Sequence, residues 1–159
     1  MRRGICAVAA AVLSSLTAAA ADPPARFMSL RAPGAEGRQG PSPERNVMWV
    51  YQHARLPLEV IGERDGWLNV RDPDGAEVWM EAAALEPRRT VYVRAETTLR
   101  RSPRAGGKAI ALLAPGVIAS FTGCEGEWRR VAVGGRIGWV ENGALWAGDC
   151  AGLASPIRP

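Results

Sequence analysis

The chain has 159 residues, 20 basic and 16 acidic side chains and a formal net charge of +4, and 47% of its residues are hydrophobic. This length allows one ordinary domain or two small ones, and the near-average composition excludes a chain that is disordered throughout. Six Trp residues against two Tyr and two Phe form an unusual ratio, while a single His weakens most enzymatic interpretations.

The N-terminus has the pattern of a secretory signal peptide. Arg2 and Arg3 precede a short apolar stretch over 4–16, and a small-residue A-x-A site follows it. We predict a cleaved signal peptide over 1–21, with cleavage after Ala21, and therefore a periplasmic or secreted protein. A membrane anchor is the alternative, but the stretch is short and rich in Ala and Ser, so no stable membrane insertion is expected after cleavage.

Export changes the charge and the cysteine count. Loss of Arg2 and Arg3 from the 20 basic residues leaves 18 against 16 acidic ones, a net charge of +2 that does not support a nucleic-acid partner. Cys6 leaves with the signal peptide, so Cys124 and Cys150 remain as a pair and predict a disulfide in an oxidising compartment. Two Cys and one distant His do not form a tetrahedral zinc site, and no metal or cofactor is expected.

The exported part of the chain has short apolar runs broken by Gly, Pro, Asp and Asn, and it lacks a long 3.6-residue period. This pattern predicts an all-β fold. The runs also repeat, because residues 67–70 recur as residues 128–131 with an offset of 61, and Trp79 recurs as Trp139 with an offset of 60. Each copy therefore contains a W-x-x-V motif, a turn and a second Trp.

The strands within each copy follow from the alternation of apolar residues. Val70 and Val131 fall on the face that points to the core, whereas Trp67 and Trp128 point to the opposite face. About five short strands in roughly 60 residues predict a small barrel in each copy. Further strands are predicted over residues 47–51, 58–61, 109–113 and 117–121.

Additional matches complete the two copies. Residues 38–42 read R-Q-G-P-S in copy one, residues 137–140 read I-G-W-V in copy two, and Leu85 and Leu145 close the copies. This ordered set resembles bacterial SH3-type domains and is most similar to the tandem SH3 proteins that alphaproteobacteria secrete. Copy one departs from the pattern at Val78, where these domains have Gly before the second Trp.

The resemblance implies an all-β protein made of two tandem, small, five-stranded SH3-like barrels that follow the signal peptide. Barrel one is expected over 27–86, barrel two over 90–148 and a C-terminal tail over 149–159. The connection at Arg88 and Arg89 is too short for free tumbling, so the barrels are expected to touch. The implied function is non-enzymatic binding of a peptide or of cell-wall peptidoglycan.

Few residues could carry catalysis. A nucleophilic Cys with a His base, as in cell-wall peptidases, needs a free thiol, and both Cys of the exported chain are expected to be oxidised. His53 is the single candidate base, and paired carboxylates such as Glu63 and Asp65 lie in Gly-containing turns. A cell-wall hydrolase is therefore the least favoured function, and we predict no catalytic residue.

The Trp residues are the strongest functional signal. Each has a large apolar face and one N–H donor, which suits a groove for peptides or sugars, although packing between barrels uses the same properties. Trp146 is expected to pack beneath the disulfide, and Trp49 with Tyr51, two apart on one strand face, to be the most exposed pair. A second possible function is that these surfaces bury against another envelope protein in an assembly. Ligand contacts are predicted at Trp49, Tyr51, Trp67, Trp79, Trp128 and Trp139.

Overall fold

The structure is a computed structural model that describes residues 25–150. The predicted signal peptide, and all of the predicted tail except Asp149 and Cys150, lie outside the described residues. Within the described part, fourteen short strands form two seven-stranded antiparallel sheets, together with two single turns of 3-10 helix. The prediction of an all-β fold with two tandem units is confirmed. No helix in this part of the chain is long and apolar enough to cross a membrane.

The first unit (residues 26–86) is one antiparallel sheet. Its strands are hydrogen-bonded in the order β3-β2-β6-β5-β4-β1-β7, so β3 and β7 are the ends of the sheet. In chain order these strands are β1 (Arg26–Leu30), β2 (Ala35–Arg38), β3 (Val47–Tyr51), β4 (Pro57–Arg64), β5 (Trp67–Arg71), β6 (Glu77–Glu81) and β7 (Leu85–Glu86).

The second unit (residues 90–146) repeats this order strand for strand, as β10-β9-β13-β12-β11-β8-β14. In both units a single 3-10 turn, Ala82–Ala84 or Asn142–Ala144, leads into the closing strand. The strands are β8 (Thr90–Val93), β9 (Thr97–Arg100), β10 (Ala109–Leu113), β11 (Ile118–Glu125), β12 (Trp128–Val133), β13 (Arg136–Glu141) and β14 (Leu145–Trp146).

Each unit has an opening and a closing strand beyond the five predicted from the sequence. The closing strands are two residues long, which is too short to show a period of two. The opening strands each carry a buried hydroxyl residue, Ser29 within β1 and Thr90 at the start of β8, and a pattern of apolar residues does not indicate burial at a polar position.

Strand alternation builds each core from one face of its sheet. In β5 and β6 the buried residues Leu68, Val70, Val78 and Met80 alternate with exposed or half-buried ones. Val70 and its counterpart Val131 in β12 are fully buried, which confirms their predicted place in the core. The buried residues form two separate clusters, one within each sheet, so each unit has a core of its own.

The two cores place a glycine and a large residue at opposite members of the same pair of facing positions. In the first unit Val78 is buried and faces Gly37, where an added Cβ would lie 2.7 Å from the Cγ2 atom of Val78. In the second unit the sizes are reversed, because the buried Leu99 faces Gly138, where an added Cβ would lie 2.9 Å from the Cγ atom of Leu99. Val78, which breaks the G-W-V motif, is therefore compensated by Gly37 across the sheet.

The units contact each other through a buried pair of hydroxyl groups. The Oγ atom of Ser29 lies 2.7 Å from the Oγ1 atom of Thr90, and both residues are buried. Ser29 also donates to the carbonyl oxygen of Arg88 (2.6 Å), and Thr90 donates to that of Arg55 (2.8 Å). The two hydroxyl groups together have two hydrogens for these three oxygen–oxygen contacts. The contacts join the first unit to the start of the second.

A second contact between the units involves Trp146 of β14. Its ring packs edge-to-face on Phe27 of β1, with ring centroids 5.5 Å apart, and the guanidinium of Arg94 lies 4.8 Å from the Trp146 centroid. Arg94 also donates to the carbonyl oxygen of Pro73 in the first unit (2.9 Å). Trp146 was expected beneath the disulfide, and the structure instead places its ring against Phe27, because β14 pairs with β8 at the unit boundary. The expected contact between the two units is present.

The end of the second unit is held to the β11–β12 hairpin in two ways. Cys124 and Cys150 form the predicted disulfide, with their Cα atoms 6.2 Å apart and a sequence separation of 26. The buried Arg129 donates to the carbonyl oxygen of Gly126 (2.7 Å) and to that of Gly148. Burial lowers the pKa of the Arg129 guanidinium from its ordinary value. These hydrogen bonds and the disulfide hold the same short segment of chain.

Candidate ligand-binding site

Two Trp residues of the first unit share the outer face of its sheet. In the β5–β6 pair Trp67 lies opposite Glu81, and Asn69 lies opposite Trp79. Because side chains two apart on a strand share a face, these four side chains point away from the core. Trp67 and Trp79 are both half-buried, and they are diagonal neighbours across the two strands.

A shallow cleft of about 240 Å³ lies against Trp67 on this face. Glu81 comes from β6, while Glu36 and Arg38 come from β2, the next strand in the sheet. Arg38 forms an ion pair with Glu36 and donates to two carbonyl oxygens of the loop between β2 and β3, so its guanidinium is held in place. We call Trp67, Glu81, Glu36 and Arg38 the first shelf.

The second unit has the same arrangement on the equivalent strands. Trp128 lies opposite Glu141, and Arg130 lies opposite Trp139, so these side chains share the outer face of the β12–β13 pair. Arg100 of β9 takes the place of Arg38 and is anchored by donation to the carbonyl oxygen of Gly107 (3.1 Å). The cleft here is about 220 Å³, and the residues that line it, which we call the second shelf, are Thr97, Thr98, Arg100, Trp128 and Glu141.

The two shelves differ in charge. The first shelf has two carboxylates, Glu36 and Glu81, against one guanidinium. The second shelf has one carboxylate, Glu141, against the guanidinium of Arg100, and Arg130 adds a second guanidinium on the same outer face. The formal charge of the first shelf is therefore −1, and that of the second shelf is zero, or +1 when Arg130 is included.

The other two predicted ligand residues lie on β3. Trp49 is 54% exposed, and it is not among the residues that line the first shelf. Tyr51 is half-buried against the first core and donates from its hydroxyl to the Oδ2 atom of Asp72 (3.0 Å). Burial raises the pKa of Tyr51 above its ordinary value, and the Asp72 carboxylate raises it further. The two residues therefore have different environments: Trp49 is exposed, whereas Tyr51 is hydrogen-bonded below the surface.

Among residues 25–150, the two cysteines and the histidine do not form a reactive pair. Cys124 and Cys150 are bonded to each other, and His53 is exposed in the loop after β3. Residues 25–150 contain no group of three or more His, Cys, Asp and Glu side chains that could hold a metal ion. What they present instead is an aromatic face beside charged groups, once in each unit.

Glu36, Glu81 and Glu141 were not among the ligand contacts predicted from the sequence, and Arg38 was noted as part of a motif and not as a ligand contact. A signal for them was present, because each second Trp is followed two positions later by Glu, at Glu81 and Glu141. Arg38 and Arg100 also occur at matching positions, before the first apolar strand of each copy. Residues two apart on a strand share a face, so the repeated W-x-E spacing predicts Glu beside the aromatic surface.

Two tandem all-β units, each with its own core and the same outward Trp, Glu and Arg, define the class as a tandem SH3-like protein. Residues 32–87 and 93–147 each match the family described as "Bacterial SH3 domain". The chain therefore belongs to the bacterial SH3 domain family.

Similar solved structures are NlpC2 and NlpC1 from Trichomonas vaginalis, with 19% and 20% sequence identity and a TM-score of 0.36 in each case. The matches cover 77% and 84% of this chain, and 48% and 50% of those chains. The chain thus spans about half the length of these structures, and similarity at this level does not transfer an activity. No curated protein matches the chain significantly.

Proposed function

We propose that the protein is an exported, non-enzymatic binding protein that recognises a peptide, or the peptide part of peptidoglycan, through its two shelves. Bacterial SH3 domains are binding modules for cell-wall ligands, which supports this class of function. The observation that carries the proposal is the doubled arrangement of Trp, Glu and Arg on equivalent strands, facing outward in both units.

The chemistry of the shelves fits a ligand that has both signs of charge. The indole faces of Trp67 and Trp128 pack on apolar or sugar surfaces, while the neighbouring charged groups set orientation. Peptides that carry free amino groups and free carboxylates match the different charges of the two shelves. Because both shelves belong to one chain, a ligand long enough to reach both meets the second shelf at a raised effective concentration.

The proposal of export rests on the signal pattern over 1–21, and the disulfide is compatible with an oxidising compartment. The proposal that the protein is not an enzyme is supported by the disulfide, which leaves no free thiolate among residues 25–150. Zymography on cell-wall material tests it, with a His53→Ala variant alongside. Clearing by the wild type that the variant loses would overturn the non-enzymatic assignment.

Retention on purified peptidoglycan sacculi tests the binding function. Trp67→Ala or Trp128→Ala should each reduce retention about tenfold, and the double variant should abolish it, because large aromatic anchors dominate such surfaces. Leu112→Ala is the control, since it removes an exposed apolar side chain outside both shelves. Absence of wild-type retention, or a double variant retained like the wild type, would contradict the proposal.

A role as an assembly partner of another envelope protein is the second candidate function. The observation that favours it is the run of four consecutive exposed apolar residues on β3, from Val47 to Val50. Crosslinking in intact cells that recovers one defined protein would support this function, and recovery of cell-wall material alone would argue against it.

A further inference from the structure

Strand β3 of the first unit is an apolar sheet edge that the fold leaves uncovered. It is the last strand of its sheet, and it pairs with β2 on one side. Four of its consecutive side chains are exposed: Val47 by 41%, Met48 by 45%, Trp49 by 54% and Val50 by 49%. Side chains on both faces of the strand are therefore in solvent. Proteins normally protect such edges with charges, Pro or a covering segment, because an open edge pairs with other chains.

The fold itself does not require this exposure. The equivalent edge strand of the second unit is β10, which occupies the same end of an identically ordered sheet. Of its side chains, Leu112 is the one large apolar group that is exposed (63%), while Ile110 is half-buried and Leu113 is buried. The continuous apolar edge is thus a property of the first unit, and β10 is a natural internal control.

A cleft lined by two carboxylates, those of Asp72 and Asp74, lies where β3 ends. It has a volume of about 400 Å³, and it includes Tyr92 of the second unit. The ion pairs found among residues 25–150 do not include Asp72 or Asp74, both of which line the cleft. The Asp72 carboxylate accepts hydrogen bonds from the Tyr51 hydroxyl and from two backbone N–H groups, which hold it in place. Val50, Tyr51 and His53 also line the cleft.

We propose that β3 and this cleft bind an extended, apolar protein segment that has a cationic group at its N-terminal end. The segment adds an antiparallel strand to β3, as every strand pair of this sheet is antiparallel. β3 runs from Val47 towards Tyr51, and Tyr51 lies at the cleft. An antiparallel partner therefore begins at the cleft, and its amino group or first basic side chain meets Asp74. This surface is separate from both shelves, so it does not depend on the function proposed for them.

The exposed area favours a peptide segment over a second copy of the chain. At the observed exposed fractions, two copies paired through β3 alone would bury on the order of 800 Å² in total, below the roughly 1,200 Å² typical of stable complexes. A peptide strand of five or six residues can pair along the whole of β3 without further contacts. The carboxylates of the cleft then fix the direction of the peptide, because they attract its positive N-terminal end. The partner chemistry is thus an apolar, extended segment with a positive N-terminal end.

The test uses the synthetic hexapeptide Lys-Val-Thr-Val-Thr-Val-amide with a free N-terminus, titrated into the ¹⁵N-labelled protein and followed by NMR. Backbone amide shifts are expected along β3 and at the cleft. Two further peptides carry N-methyl groups, either at residues 2, 4 and 6 or at residues 3 and 5. One set of amides faces β3 and the other faces solvent, so one methylated peptide should lose at least about tenfold in affinity while the other binds like the parent. Equal affinity of the two methylated peptides would overturn the proposal.

Variants of the protein locate the surface. Trp49→Ser should weaken binding about tenfold, and Asp74→Asn should remove the preference for a peptide that starts with Lys over one that starts with Ala. Leu112→Ser is the matched control on the equivalent edge, and it should bind like the wild type. If Leu112→Ser weakens binding as much as Trp49→Ser does, the site is not at β3. If the protein is a dimer that Trp49→Ser dissociates, the edge is an interface between copies and the peptide proposal is overturned.

Discussion

The exchange of volume between Gly37 and Val78 predicts strong energetic coupling. In the first unit we consider the single variants Gly37→Leu and Val78→Gly and the double variant that carries both. Together these changes reproduce in the first unit the large-and-small pairing that the second unit has at Leu99 and Gly138. Since the side chain added at Gly37 takes the space that Val78 leaves, the double variant should be far more stable than the two single effects imply.

The magnitudes follow from the contacts. Val78→Gly removes a buried isopropyl group and leaves a glycine within a strand, which should lower the free energy of unfolding by about 3 kcal/mol. Gly37→Leu places a Cβ 2.7 Å from the Val78 Cγ2 atom, and overpacking of this kind costs about 2 kcal/mol. The double variant should cost about 3 kcal/mol in all, because the new Cβ still lies 3.1 Å from the Tyr51 ring. The coupling energy is therefore about 2 kcal/mol, within the usual range for residues in contact.

Urea unfolding of the four proteins, followed by Trp fluorescence and circular dichroism, measures this coupling. A control pairs Gly37→Leu with Val140→Ala in the other core, where the two effects should add. The reverse exchange in the second unit, Leu99→Gly with Gly138→Val, should couple less, because a Cβ at Gly138 also meets the Arg100 carbonyl oxygen at 2.6 Å. Additivity within about 0.5 kcal/mol in the first unit would refute the reasoning.

Three further predictions concern stability. Reduction of the disulfide should lower the free energy of unfolding by about 3–4 kcal/mol, because the bridge closes a loop with a separation of 26 residues. The double variant Cys124→Ala with Cys150→Ala should lose the same amount. Calorimetry of the reduced protein and of the double variant should agree, and an unchanged Tm would contradict this. Thr90→Val removes one of two hydroxyl hydrogens that serve three buried contacts, so it should cost about 1–3 kcal/mol by urea unfolding, more than Thr97→Val at a half-buried site. The pKa of Tyr51 is raised by burial and by Asp72, so the unfolded chain loses its proton first and stability should fall as the pH rises above about 10. Urea unfolding at pH 8 and pH 11 should show that Tyr51→Phe reduces this fall, and an identical fall in both proteins would contradict the assignment.

Much of the fold could be predicted because the repeated motifs fall on strands with clear alternation. Val70 and Val131 lie where a period of two places them, and the cysteine pair needed no geometric information once the signal peptide was set aside. The opening strands were missed because Ser29 and Thr90 are polar yet buried. Their burial results from the contact between the units, which no pattern within a single copy contains.

The candidate site could be predicted in part. The outward direction of Trp67 and Trp128 follows from the alternation alone, whereas the charges beside them come from β2, β9 and the neighbouring strands. Pairing across a sheet joins residues that are far apart in sequence, so single-strand periodicity cannot place Arg38 beside Trp67. The contact of Trp146 could not be predicted for the same reason, because Phe27, its ring partner, is far away in sequence and belongs to the other unit.

The most direct test of the central claim follows the six Trp indole N–H signals of the ¹⁵N-labelled protein while a soluble disaccharide-peptide fragment of peptidoglycan is added. Single Trp→Phe variants assign the signals. If the two shelves bind such ligands, the signals of Trp67 and Trp128 shift in a saturable way, and that of Trp146, packed between the units, stays in place. A titration in which Trp67 and Trp128 do not move, or in which the shifts lie only elsewhere, would contradict the account.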